Sequence, residues 1–210
     1  MAKHKATNLN GLVTKLNSKP AVINKAASIA VNKTTQFAVG ESIDLITTEV
    51  NLDPSYVRKH LKQVARANPN NLRAVIRANA RATLLTRYPF TQTKQGVNVR
   101  VNARGGVRRL PKAFVVKNLR GSGASGVALR NKDAVAYFTK FINKGTGRTP
   151  GKQAKLNKIR AKAANKPHGV TVLHGRSINQ LFTSVREDIS DDIRTTMSDI
   201  FLGEFGKLNK

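Results

Sequence analysis

The chain has no cysteine and no tryptophan, only 5% aromatic residues, and 11 acidic side chains against 38 basic ones. Without cysteine there is no disulfide, no thiolate nucleophile and no cysteine-based zinc site. Few aromatics point to a modest core. Even so, 40% hydrophobic content over 210 residues is enough for one domain, or one domain plus an arm. No apolar run approaches the roughly 18 residues of a membrane span, and no signal peptide opens the chain. A protein inside a cell or within an assembled particle is expected.

The shortage of acid is local. Residues 54–176 carry 28 Lys and Arg and a single acid, Asp133, so this stretch equals the formal net charge of the whole chain, +27. The other acids fall in two windows, Glu41–Asp53 and Glu187–Glu204. A block of one sign needs a polyanion, an acidic neighbour or counter-ions to offset its self-repulsion.

That distribution argues against an enzyme. Acid–base work by paired carboxylates needs two that converge, and the central region offers one. His4, His60, His168 and His174 have no metal-ligand spacing and no nearby acid to orient them. Two nucleotide motifs also fail. Gly121-Ser122-Gly123-Ala124-Ser125-Gly126 matches G-x-G-x-x-G in form, but a β-like run follows it where a helix is needed, and Asp133 comes too soon to hold a ribose. In Gly147-Arg148-Thr149-Pro150-Gly151-Lys152 the leading glycine is misplaced for a P-loop, and Gln153 stands where a magnesium-binding hydroxyl belongs. No catalytic residue, metal or cofactor is expected.

The elements that are present describe an α+β domain. Residues 1–19 hold lysine and asparagine but no acid, and read as an extended basic arm; 20–210 read as a single domain. From Pro20 a long helix, breaking at Gly40, carries Ile23, Ala27, Ala30, Phe37, Val39, Ile43, Ile46 and Val50 on one stripe. Asp53-Pro54 restarts a helix, with Val57, Leu61 and Val64 inward; a helix-turn-helix is a weaker reading. After Asn68-Pro69 the period changes to two. Segments 72–78, 82–88, 97–101, 107–116 and 127–130, with the apolar run 134–141, predict an antiparallel meander whose Pro111 marks an edge or bulge. Ser177 opens the last helix, amphipathic through Ile178, Leu181, Val185, Ile189, Ile193, Met197 and Ile200 to a stop at Gly203.

Residues 144–168 are the most basic part of the chain, with Leu156 and Ile159 its only large aliphatic side chains past 150. They predict either a flexible insertion or a short helix that orders on contact. Candidate DNA-facing cations are Lys152, Lys155, Lys158, Arg160 and Lys162 here, together with Arg100, Arg104, Arg108 and Arg109. No aromatic interrupts the 144–168 run, so its binding is expected to ignore sequence. Asp188, Asp191 and Asp192 are the candidate subunit-interface acids, suited to a basic flank of a neighbouring copy.

The order of these elements over roughly 36–205 resembles the minor tail protein Z family of tailed bacteriophages, the tail-completion proteins. The resemblance is carried by Val57-Arg58-Lys59-His60-Leu61, by Gly96-Val97-Asn98-Val99-Arg100-Val101 and by Arg109-Leu110-Pro111-Lys112-Ala113-Phe114-Val115. It continues in Gly126-Val127-Ala128-Leu129-Arg130 and in Gly175-Arg176-Ser177-Ile178-Asn179-Gln180-Leu181-Phe182. The sequence departs from the family at 144–168, which is longer and more basic than the family's linker. The resemblance implies a non-enzymatic virion protein, present in the host cytoplasm during assembly. It would form a cyclic oligomer, a hexamer, between head-connector and tail terminator or tube proteins, with DNA passing its lumen without sequence preference. It implies no membrane partner. The alternative from a different class is a sequence-independent nucleic-acid-binding protein, packaging or ribosome-associated.

Overall fold

The structure, a computed structural model, describes residues 20–119, 123–144 and 149–209. The expected basic arm 1–19, the Gly121-Ser122 start of the glycine-rich loop and Gly147-Arg148 lie outside the described residues. The protein is α+β, with every strand pair antiparallel. The chain divides into two compact units, each assembled from separated segments.

The first unit holds the described parts of Met1–Ile46, Ser55–Asn79 and Asn179–Lys210. Its longest element is α1 (Pro20–Glu49), which runs through Gly40 without a break. The buried positions along α1 are mostly small ones, Ala26, Ala30, Thr34, Ala38 and Ser42 at four-residue spacing, joined by Ser28, Ile43 and Ile46. Ile23, Phe37 and Val39, expected on the buried stripe, are only half-buried. A small-residue face admits close backbone approach; Asn32, two residues from Ala30 and from Thr34, lies on another side of α1. Its side chain accepts the Ala67 amide at 2.9 Å and donates to the Ala67 carbonyl at 2.8 Å. Both polar groups of one backbone residue are thereby satisfied.

Helix α2 (Pro54–His60) begins at Pro54 as expected, then gives way to β1 (Leu61–Ala65), which pairs with β2 (Val75–Ala78). The helix expected through Val64 ends early because Leu61 to Ala65 find a ladder partner, and such pairing outweighs local propensity. Leu61 stays buried while Val64 turns out, 41% exposed. A seven-residue helix running into a strand leaves no recognition helix, so the helix-turn-helix reading is withdrawn.

The single C-terminal helix expected from Ser177 is two helices, α5 (Ile178–Val185) and α6 (Ser190–Leu208). Ile178, Leu181, Val185 and Ile189 are buried, whereas no residue of α6 is. Ser177 itself closes a strand, and Gly203 lies inside α6, not at its end. Across the first unit, Lys33 of α1 pairs with Glu204 of α6 at 2.9 Å.

The second unit comprises Thr47–Pro54 and Ala80–Ile178. In place of one meander over 72–141 it holds small sheets. Strand β3 (Ala82–Leu84) pairs with β10 (His174–Ser177). Strands β4 (Phe90–Thr93), β5 (Gly96–Val99) and β6 (Arg108–Pro111) form a true meander. Strand β7 (Phe114–Val116) pairs with β8 (Gly126–Arg130), and β8 with β9 (Val170–Val172). Val97 and Val99 are buried with Arg100 outward, as the alternation predicts, and Pro111 sits on the edge strand of its sheet.

The run 134–141, expected as a strand, lies in α3 (Asn131–Lys144). Segment 144–168, expected as an insertion or a contact-ordered helix, contains α4 (Pro150–Asn165), packed on α3. Thr149 accepts the Lys152 amide as N-cap and Pro150 opens the helix, a combination that satisfies one orphan donor and removes another. Leu156 and Ile159 are its buried residues.

Candidate anion-binding surface

All nine candidate cations fall in the second unit. The unit has 22 Lys and Arg against Glu49, Asp53 and Asp133, while the first has 16 against eight acids. Arg100 follows β5, and its guanidinium donates to the Ala103 carbonyl at 3.0 Å, beside the bend that carries Arg104. Lys158, Arg160 and Lys162 are on exposed positions of α4, with Lys152 partly covered. The Lys155 ammonium stands 5.0 Å from the centre of the Phe138 ring of α3, a cation–π contact that holds it against the helix pair.

Arg108 and Arg109, adjacent on β6, are brought to a cavity of about 460 Å³ whose other walls are Pro111, Lys112, Asp133, Ala136, Tyr137 and Lys140. Arg108 lies over the Tyr137 ring, 5.8 Å from its centre. Lys112 pairs with Asp133 at 3.1 Å. Arg109 also borders a smaller cavity of about 350 Å³ with Thr93, Lys94, Gln95 and Asn98. The remaining candidates, Arg100, Arg104 and the α4 cations, line neither cavity.

Sequence reasoning missed Lys112, Tyr137 and Lys140. The signal was present but needed the right period. Asp133, Ala136, Tyr137 and Lys140 are spaced i, i+3, i+4 and i+7, which is one face of a helix. Read as a strand, the same residues scatter to both sides of a sheet.

The acidic candidates sit in the first unit. Asp188 lies in the turn between α5 and α6, and Asp191 and Asp192 occupy the first turn of α6; all three are exposed. The latter two complement the positive end of the helix dipole, and Asp191 also reaches Arg194 at 3.4 Å. Glu204, between Lys33 and Lys207, has its carboxyl held below the usual carboxylate range by hydrogen bonds from those two ammonium groups. In the second unit His174 is pushed below the ordinary histidine value. Partial desolvation is the main cause, and Lys155 and Arg81 reinforce it against a backbone hydrogen bond at Val172 that acts the other way. Among the described residues no group of three His, Asp or Glu side chains is placed to hold a metal, and no helix is long and apolar enough to cross a membrane.

Compared with family models, with curated proteins and with solved structures, the chain matches none.

Proposed function

We propose that the protein is a structural component of a tailed-bacteriophage virion, a tail-completion subunit that forms a ring at the head–tail junction through which DNA passes. The observation that carries this reading is the uneven charge of the two units: 22 cations against three acids in the second, 16 against eight in the first, whose acids include the cluster Asp188, Asp191 and Asp192. A subunit of this kind suits heterologous, head-to-tail contacts, in which the exposed aspartates at the start of α6 in one copy meet the basic unit of the next. The resemblance of element order to the tail-completion family supports the same reading. So does helix α6, which presents Met197 and Leu202 to solvent beside its aspartates and thus has apolar area to bury against a neighbour.

The test is particle incorporation and assembly. Mass spectrometry of purified particles should find the chain in the virion, and light scattering should show a closed oligomer, six copies by the family resemblance. Reversing Asp188, Asp191 and Asp192 to Lys should block tail completion while leaving the monomer folded, since exposed charges contribute little to stability. Infectious particles from that variant would refute the electrostatic contact.

The second reading, a sequence-independent nucleic-acid-binding protein, is favoured by the exposed cations of α4, a helix with no acidic residue of its own. Salt-sensitive binding of bare duplex by the monomer, with no ring and no virion incorporation, is the result that would select it.

A further inference from the structure

We propose that the cavity between β6 and α3 is a binding site for the phosphate group of a nucleotide unit, with the base lying against Tyr137. The site goes beyond the ring reading and stands whether or not the chain assembles.

Its chemistry is mixed in a way that narrows the ligand. Arg108, Arg109, Lys112 and Lys140 bring four cations to the walls, against the one carboxylate of Asp133. Guanidinium groups suit phosphate oxygens because two parallel N–H donors match two acceptors. Pro111 and the Tyr137 ring supply an apolar wall, and the Arg108 guanidinium over that ring offers a second surface for a base to lie on. Asp133 adds a second requirement. A carboxylate there disfavours any purely anionic ligand, a phosphate ion and a glutamate side chain alike, but accepts from a ring N–H or amino group of a base or from a sugar hydroxyl. A ligand with an anionic end and a donor-bearing planar end satisfies both halves of the site; polyglutamate satisfies one.

Size and backbone agree. A cavity of about 460 Å³ falls within the roughly 300–1,000 Å³ typical of small-ligand sites, and suits a single nucleotide, not a length of duplex. Lys112 is held at φ 60, a left-handed conformation that side chains beyond Gly, Asn and Asp seldom adopt. Strain of this kind collects where a side chain has to be presented at one point, and here it sets an ammonium at the cavity rim beside Asp133. Arg109 is shared with the smaller cavity beyond it, so a second phosphate along a strand has a place to go.

The test uses the full chain and four probes: inorganic phosphate, dTMP, a short fluorescent oligothymidylate and an oligoglutamate peptide. Arg109→Glu with Lys140→Glu should weaken oligothymidylate binding by at least about tenfold, whereas the matched reversal Lys158→Glu with Arg160→Glu on α4 should change it by less than about threefold. Tyr137→Ala should weaken binding and Tyr137→Phe should not. Equal affinity per site for dTMP and oligothymidylate would identify a free nucleotide as the ligand; much tighter binding of the oligonucleotide would identify a strand; either supports the site. Equal losses from the two reversals would overturn it as unlocalised charge attraction. Competition by oligoglutamate as strong as by oligothymidylate would overturn the assignment to phosphate. Should the glutamate variants fail to fold, Arg109→Gln and Lys140→Gln read the same site, and dTMP-induced shifts of the Tyr137 ring resonances report it in the unmodified protein. Absence of such shifts at saturating dTMP and oligothymidylate would overturn the proposal.

Discussion

The side-chain amide of Asn131, at the start of α3, donates to the main-chain carbonyl of Lys166, just past the end of α4, at 2.6 Å. The same side chain accepts from the Thr171 hydroxyl at 2.8 Å, and the Asn131 amide donates to the Gly169 carbonyl at 2.9 Å. One buried residue thus ties the exit of the basic helix to both α3 and β9. The tie helps to fix the helix Pro150–Asn165 within a segment whose composition alone suggests a loose insertion.

Removing that tie should loosen α4 selectively. Asn131→Ala is expected to cost about 2 kcal/mol, because it leaves the Thr171 hydroxyl and the Lys166 carbonyl short of partners. Hydrogen exchange should show amide protection falling first in 150–165, ahead of the meander; uniform loss of protection would contradict this role.

Gly40 is an opportunity left open. It lies inside α1, and a Cβ built there meets nothing within 4 Å. Gly40→Ala should therefore raise stability by about 0.5–1 kcal/mol through the reduced entropy of the unfolded chain and better helix propensity. Gly96 is the opposite case. It sits at φ +149, and an added Cβ would run into the Leu110 carbonyl of the neighbouring strand; the same substitution there should unzip the β5–β6 edge. Paired denaturant titrations distinguish the two signs.

The division of the C-terminal stripe predicts unequal costs along it. Ile189→Asp places a charge at a position only 3% exposed, and should destabilise by more than about 3 kcal/mol. Met197→Asp, at 41% exposure, should change the stability of the monomer by less than about 0.5 kcal/mol. If Met197→Asp instead unfolds the isolated chain, α6 is part of its core.

His174 gives a pH dependence with a definite sign. Its value in the folded protein lies below the ordinary 6.5 because desolvation, Lys155 and Arg81 disfavour the imidazolium. The unfolded chain therefore binds more protons in the interval between the two values, and stability rises with pH there. Acidification from about pH 7.5 through 6.5 and below should lower the urea midpoint, and His174→Gln should flatten that part of the profile. An NMR titration should place the His174 midpoint below 6.5, and Lys155→Glu should move it upward.

Charge and alternation were legible from the amino acids alone. The partition of acids and bases, the α+β class, the buried Val97 and Val99 with Arg100 outward, the helix start at Pro54 and the edge position of Pro111 all follow from local pattern, because each depends on the spacing of a few neighbouring residues. Tertiary structure decided the rest. Ala134-Val135-Ala136-Tyr137-Phe138 satisfies both a strand and a helix pattern. It becomes a helix because Leu156 and Ile159 belong to a second helix that packs on it, and that choice alone turns Tyr137 and Lys140 toward the same cavity as Arg108 and Arg109. In the same way Leu61–Ala65 leaves the helix when β2 offers a ladder, and the C-terminal stripe is buried only as far as Ile189. Pairing and burial are long-range terms, set by what lies across the contact, and a short apolar segment carries no record of its partner.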